Sequence, residues 1–330
     1  MPSSSASEPP GGEATRLALD EVDEVEAILE QKPPKAETAL GETGARSRDR
    51  GWVTAGLALP GFLWLGFYLL APLVIIILVS FWTRTDSGFD RVWTTANYSE
   101  LFHDSTYWQN MLTTFETSLL AVAACLLFGF PVAYFLALKV EKLQIQIVLF
   151  IVALAPFWTS FLTRAIAWTF PLMGREGALN QLLLKLHIVS RPVDAFGFST
   201  LSVRLAMVQL YILFMITPLF FSLAQVDRSA LEAARDLGAN WWRTFWEVIL
   251  PQTMPGIVIG SIFIFVLTMG DYGTVQTVGG GNITSVGTLI YSKIGAIQYP
   301  QGAASAVLLV IVLMIGVWVI TRFSNLREEL

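Results

Sequence analysis

Six stretches of this chain are each long and apolar enough to cross a bilayer as helices, which takes about 20 residues rising about 1.5 Å apiece. They lie near residues 55–82, 112–138, 145–170, 202–225, 247–270 and 303–322. Hydrocarbon offers the backbone no hydrogen-bond partners, so such stretches are confined to helices packed as a bundle. The expected fold class is therefore an all-α membrane protein with six transmembrane helices. Prolines fall inside several of the runs, at Pro60, Pro72, Pro131, Pro156, Pro218 and Pro255. They predict kinks in a bundle whose neighbouring helices re-satisfy the freed backbone groups.

Composition agrees with the bilayer assignment. Of 330 residues, 54% are hydrophobic and 14% charged, and the mean hydropathy is +0.58, which excludes an ordinary soluble domain. The net charge of −5 comes from residues 1–50, which hold 11 acidic and 6 basic side chains, while the remainder is balanced. Two domains follow. Residues 1–50 read as a disordered acidic cytoplasmic tail, poor in apolar surface, and residues 51–330 as the transmembrane domain. Within the tail, the apolar residues between Arg16 and Glu30 recur at helical spacing and suggest a short surface helix. The first apolar run begins near Val53, too deep for a secretory signal, so it is expected to remain in the mature protein.

Short basic flanks set the orientation. Arg46, Arg48 and Arg50, then Lys139 and Lys142, then Arg228, Arg235 and Arg243, and finally Arg322 and Arg327 mark the cytoplasmic side and place both termini there. The connections around 83–111, 171–201 and 271–302 then face outward. In the second of these, Leu179, Leu182, Leu183 and Leu186 fall on one face of an amphipathic helix.

The internal connection Val226–Gly238 reads as a short, well-stopped helix. Ser229 and Glu232 form a capping-box pattern, Asp227 is the alternative cap, and Val226 with Leu231 forms a hydrophobic staple. Gly238 supplies a left-handed stop. Ala230, Ala233, Ala234 and Leu237 share a face whose small residues suit docking onto another protein.

Here the chain resembles a known family. Glu232-Ala233-Ala234, Gly238, Val248, Leu250 and Pro251 reproduce the cytoplasmic signature of binding-protein-dependent ABC importer permeases, with Val248 where isoleucine is commoner. Supporting stretches are Ala155–Ser160, Gly177–Asn180, Leu231–Gly238, Pro251–Gly256 and Tyr299–Ala304. The resemblance covers about residues 55–325 and is nearer to the polyamine-type permeases than to sugar or amino-acid ones. It implies a type I importer bundle in the inner membrane, with a cytoplasmic coupling helix at about 227–238 that contacts the ATPase. It also implies two copies of an ABC ATPase subunit, a second homologous permease subunit and an extracytoplasmic solute-binding protein. The implied cargo is spermidine or putrescine, with opines, phosphonates or another organic ion as alternatives in the same family.

The chain contains no phosphate-binding loop and no Gly-Lys pair, so ATP hydrolysis is expected of a separate subunit. No cofactor, metal site or nucleic-acid interface is expected. Cys125 is alone, and His103 and His187 lack ligand-spaced neighbours. For the substrate path, Asp271 and Tyr272 sit between Gly270 and Gly273, where a carboxylate and an aromatic face, with Trp158, suit an organic cation; a helix-capping or interfacial role for Asp271 is the alternative. Arg164, deep in the third run, reads as a cavity-lining partner for an anion or as a structural clamp. A secondary transporter and a membrane-embedded enzyme are the rival classes, and neither accounts for the Glu-Ala-Ala segment.

Overall fold

The computed structural model of the chain describes residues 59–85, 88–169 and 174–328, with the side chains of 323–328 set aside. The acidic tail, with its Arg16–Glu30 pattern, lies outside the described residues.

The first long helix, α1, runs Leu59–Ser80. A short antiparallel hairpin follows, β1 Trp82–Thr85 and β2 Gly88–Trp93, with Thr83 opposite Asp90 and Arg84 opposite Phe89. The sequence reading expected no strand in this connection. Its aromatic and β-branched residues favour a pleated surface, and Trp82 stacks on Phe89 at 5.1 Å. Helix α2, Ala96–His103, lies beside it. Asn97 ties the two together, donating from Nδ2 to the carbonyls of Ser80 and Trp82 at 2.9 Å each.

The bundle proper is built on three long helices. Helix α3 spans Ser105–Lys139, starting on an Asp104 side chain that accepts from the Thr106 and Tyr107 amides. It ends in a π turn at Phe135–Lys139, just past Pro131, whose missing N–H removes one rung of the ladder. Helix α4 spans Leu143–Trp158 and α5 spans Phe161–Ala167; the two are bent from one another by 84°. One crossing over 145–170, kinked at Pro156, was expected; the bend found is a near-right-angle corner. The break falls where Pro156 forces a 3-10 turn at Ala155–Trp158 and where Thr159 and Ser160 are extended. Helix α6, Ala178–Lys185, is the amphipathic helix that the leucine spacing predicted.

Helix α7 spans Thr200–Ala224, α8 Arg228–Asp236, and α9 Trp241–Met269. After short helices α10, Gly273–Val278, and α11, Val286–Gly295, the chain closes with α12, Tyr299–Glu328. Helices α3, α7 and α9 form the core, around Cys125, Met207, Leu210, Met215, Leu219 and Ile264. A second cluster joins α3, α9 and α12 through Tyr107, Met111, Phe265 and Leu309. The α7–α9 approach is close because two glycines sit one turn apart on α9. A Cβ on Gly256 would lie 2.7 Å from the Pro218 carbonyl oxygen, and one on Gly260 would lie 2.6 Å from Met215 Sδ. This small-xxx-small spacing lets backbones meet where no hydrophobic force between helices operates.

Candidate functional site

Helix α8 is short, and its two ends are fixed by specific bonds. Asp227 is the cap: its Oδ1 accepts from the Ser229 amide and its Oδ2 from the Ser229 hydroxyl, both at 2.9 Å. Of the two capping schemes open to the sequence, the structure takes the Asp227 one. The Ser229 hydroxyl and then the Ser229 amide hold this exposed carboxyl below the usual carboxylate range. The Asp227 amide donates in turn to Gln252 Oε1 at 3.2 Å, which fastens the start of α8 to α9. Val226 is buried and Leu231 packs against the same core.

At the other end Gly238 has φ +76°. Its amide donates to Arg235 O at 2.9 Å, and Ala239 N donates to Ala234 O at 2.9 Å. These are the two bonds of a Schellman stop, which needs a residue without a Cβ penalty at the left-handed position.

The small-residue face divides in two. Ala230 and Ala234 are half-buried toward the bundle, whereas Ala233 and Leu237 are exposed, Leu237 at 88%. Glu232 is also exposed and, with Lys139, Glu141, Arg228 and Arg235, lines a cleft of about 440 Å³ between α8 and the end of α3. Leu250 and Pro251 lie on α9 immediately after a π turn at Phe245–Ile249. The wider turn makes room for the proline ring, which in a regular helix meets the carbonyl four residues back. Leu250 and Pro251 therefore shape the start of the span that follows α8.

The path candidates are distributed differently from the sequence expectation. Asp271 is buried, 8% exposed. Its Oδ2 accepts from the Tyr211 hydroxyl at 2.9 Å and its Oδ1 from the Thr274 amide at 2.9 Å. Tyr272 instead stacks on Tyr291, with ring centroids 5.1 Å apart. Trp158 is 84% exposed and joins neither. Arg164 lies over the Phe157 ring at 4.9 Å, and its Nε is buried without a partner. Sequence reasoning missed Tyr211; a tyrosine inside an apolar run is the signal, since a buried phenol needs an acceptor.

No family model matches the chain. Curated relatives do match. The spermidine/putrescine transport system permease protein PotB of Salmonella typhimurium (strain SL1344) is 35% identical over 268 residues, which cover 81% of this chain and 92% of that one. PotB of Escherichia coli (strain K12) is 34% identical over 272 residues, covering 81% and 97%. This chain belongs to the spermidine/putrescine-type family of ABC importer permeases. The permease is accordingly a multi-pass inner-membrane transport subunit. Its fold matches a chain in the crystal structure of a bacterial alginate ABC transporter in complex with alginate pentasaccharide-bound periplasmic protein. That match has a TM-score of 0.60 at 17% identity and covers 84% of this permease and 96% of that chain.

Proposed function

We propose that this permease forms, with a second homologous permease subunit, the pathway by which a polyamine such as spermidine or putrescine enters the cell. The observation that carries the cargo reading is the 34–35% identity with PotB permeases over nearly their whole length. A separate pair of ABC ATPase subunits hydrolyses ATP, and an extracytoplasmic binding protein delivers the solute. Both termini are cytoplasmic, which the basic flanks support.

In this reading α8 is the element that takes up ATPase motion. Ala233 and Leu237 are presented for contact, Glu232 borders the cleft, and the Asp227 cap and Gly238 stop set its length. The Asp227–Gln252 bond and the π turn before Leu250 and Pro251 pass displacement into α9. Asp271, just beyond α9, is the carboxylate met by the cation, with Tyr272 as a nearby aromatic surface.

The test is uptake of radiolabelled spermidine or putrescine into liposomes holding the assembled complex and its binding protein, with and without internal ATP. ATP-dependent accumulation is expected; none above the ATP-free control overturns the cargo reading. The unpartnered Arg164 Nε favours one second reading, an anionic cargo, in which Arg164→Gln abolishes transport and Asp271→Asn spares it.

A further inference from the structure

Where α3, α7, the end of α9 and residues 283–285 meet, a small chamber of about 20 Å³ opens, its surface mostly apolar. Thr114, Thr117, Thr268, Thr284, Ser285 and Asp271 are among its walls. The volume suits one water-sized centre, for which roughly 10–15 Å³ is the minimum. Within an apolar bundle, each buried hydroxyl costs free energy unless it is bonded. Asp271 is the ionisable side chain in this wall, and a buried charge calls for a partner.

Three of the wall hydroxyls are already committed as donors. Thr114 Oγ1 donates to Asn110 O at 2.7 Å, Thr268 Oγ1 to Ile264 O at 2.7 Å, and Thr284 Oγ1 to Asn110 Oδ1 at 2.5 Å. With those hydrogens committed elsewhere, the three hydroxyls have only lone pairs to offer. Asp271 accepts from Tyr211 and from the Thr274 amide, one bond on each oxygen, with the Thr274 hydroxyl and the Gly273 amide also close to it. Among the described residues no Lys, Arg or His pairs with it. Arg204 touches the wall, its Nε reaching Thr117 Oγ1 at 3.4 Å, but its charge is paired with Glu116 at 3.0 Å; Arg164 lies within electrostatic reach of Tyr211.

We propose that this chamber binds one small monovalent cationic centre, an alkali ion or a primary ammonium group. An anion meets the Asp271 carboxylate and three hydroxyls whose hydrogens are committed elsewhere. A divalent ion held by a single carboxylate keeps an unbalanced charge, and a water molecule leaves the buried carboxylate without a counter-charge. The ion comes either from solution or as the ammonium end of the cargo. Only the second source rests on the polyamine reading.

The experiment is the thermal unfolding of the detergent-solubilised complex in sodium, potassium or methylammonium chloride, against N-methyl-D-glucamine chloride at equal ionic strength. At least one small cation raises the apparent Tm by roughly 2 to 4 °C with saturation, as expected of a ligand bound only by the folded form. The gain disappears in Asp271→Asn and in the isosteric Thr268→Val, and persists in Thr268→Ser, which keeps the hydroxyl. Spermidine that no longer stabilises once methylammonium is saturating identifies the cargo end as the occupant; independent, additive shifts identify a solution ion. Equal Tm in all four salts, or a gain that survives in both Asp271→Asn and Thr268→Val, overturns the proposal. Because the salts are tested without transport, failure of polyamine uptake and failure of the chamber are separate results.

Discussion

The hydroxyl of Tyr211 donates to Asp271 Oδ2 across 2.9 Å and sixty residues of sequence, tying the middle of α7 to the segment just beyond α9. A charge-assisted bond of this kind contributes about 1.5–3 kcal/mol where water is excluded. Asp271→Asn is expected to slow polyamine uptake by roughly ten-fold or more, with protein level and basal ATPase activity unchanged. Tyr211→Phe should give a smaller loss, because the carboxylate keeps its charge and its bond from the Thr274 amide. Undiminished uptake by Asp271→Asn removes this carboxylate from the pathway.

Gly238 is the stop of α8, and its substitution separates folding from coupling. Gly238→Pro removes the amide that donates to Arg235 O and imposes a φ near −65° where +76° is required. The variant should insert in the membrane normally and lose stimulated ATPase activity or release the ATPase. Gly238→Asn, which tolerates the left-handed region, should retain most activity. Co-purification of a fully active ATPase with Gly238→Pro contradicts the role given to α8.

The glycine pair on α9 is a packing contact and should respond in stability. Gly256→Ala pushes a methyl against the Pro218 carbonyl, and Gly260→Ala pushes one against Met215. Each is expected to cost about 1–3 kcal/mol as an overpacked core does, seen as a lower apparent Tm of the complex. Gly295→Ala, with nothing within 4 Å of the new Cβ, is the control and should leave Tm in place.

Orientation can be read by labelling. In a Cys125→Ser background, a cysteine at Asp90 on β2 or at Asn282 should react with an impermeant thiol reagent from outside intact cells, and one at Ser229 should not. Reaction of position 229 in sealed cells inverts the topology.

The Asp227 cap has a pH signature. Its carboxyl titrates below the unfolded value of about 4, so its contribution to α8 is complete above that value and is lost as pH falls through the lower, folded one. Between pH 5 and 8, Asp227→Asn and the unmodified permease should therefore show parallel ATPase profiles. A divergence confined to this range sinks the assignment.

Periodicity and punctuation carried much of this structure. The leucines of α6, the Gly238 stop and the long apolar runs were legible because each is a local pattern of 3.6 residues per turn or a single backbone requirement. Harder to see was how a run is interrupted. Pro131, Pro156 and Pro251 each announce a lost hydrogen bond, but a π turn near Pro131 and before Pro251 and a sharp corner at Pro156 are two different answers to the same loss. Packing decides among them. Pairings across the bundle were hidden for a related reason: Tyr211 with Asp271, and Asp227 with Gln252, join residues on different helices, and no spacing along the chain encodes them. The Gly256–Gly260 spacing is a local signal of helix approach that the sequence reading did not use, and it would not have named Met215 and Pro218 as what they meet.

The 84° corner between α4 and α5 has a consequence for the assembled transporter. Thr159 and Ser160 leave the helical ladder there, and the Ser160 side chain makes no capping bond to the turn that follows. Lipid tails cannot solvate peptide groups released in this way, and irregular backbone persists at membrane depth only against protein or beside water. In the working complex this elbow is expected to be wetted or covered by a subunit, with annular lipid kept away from it.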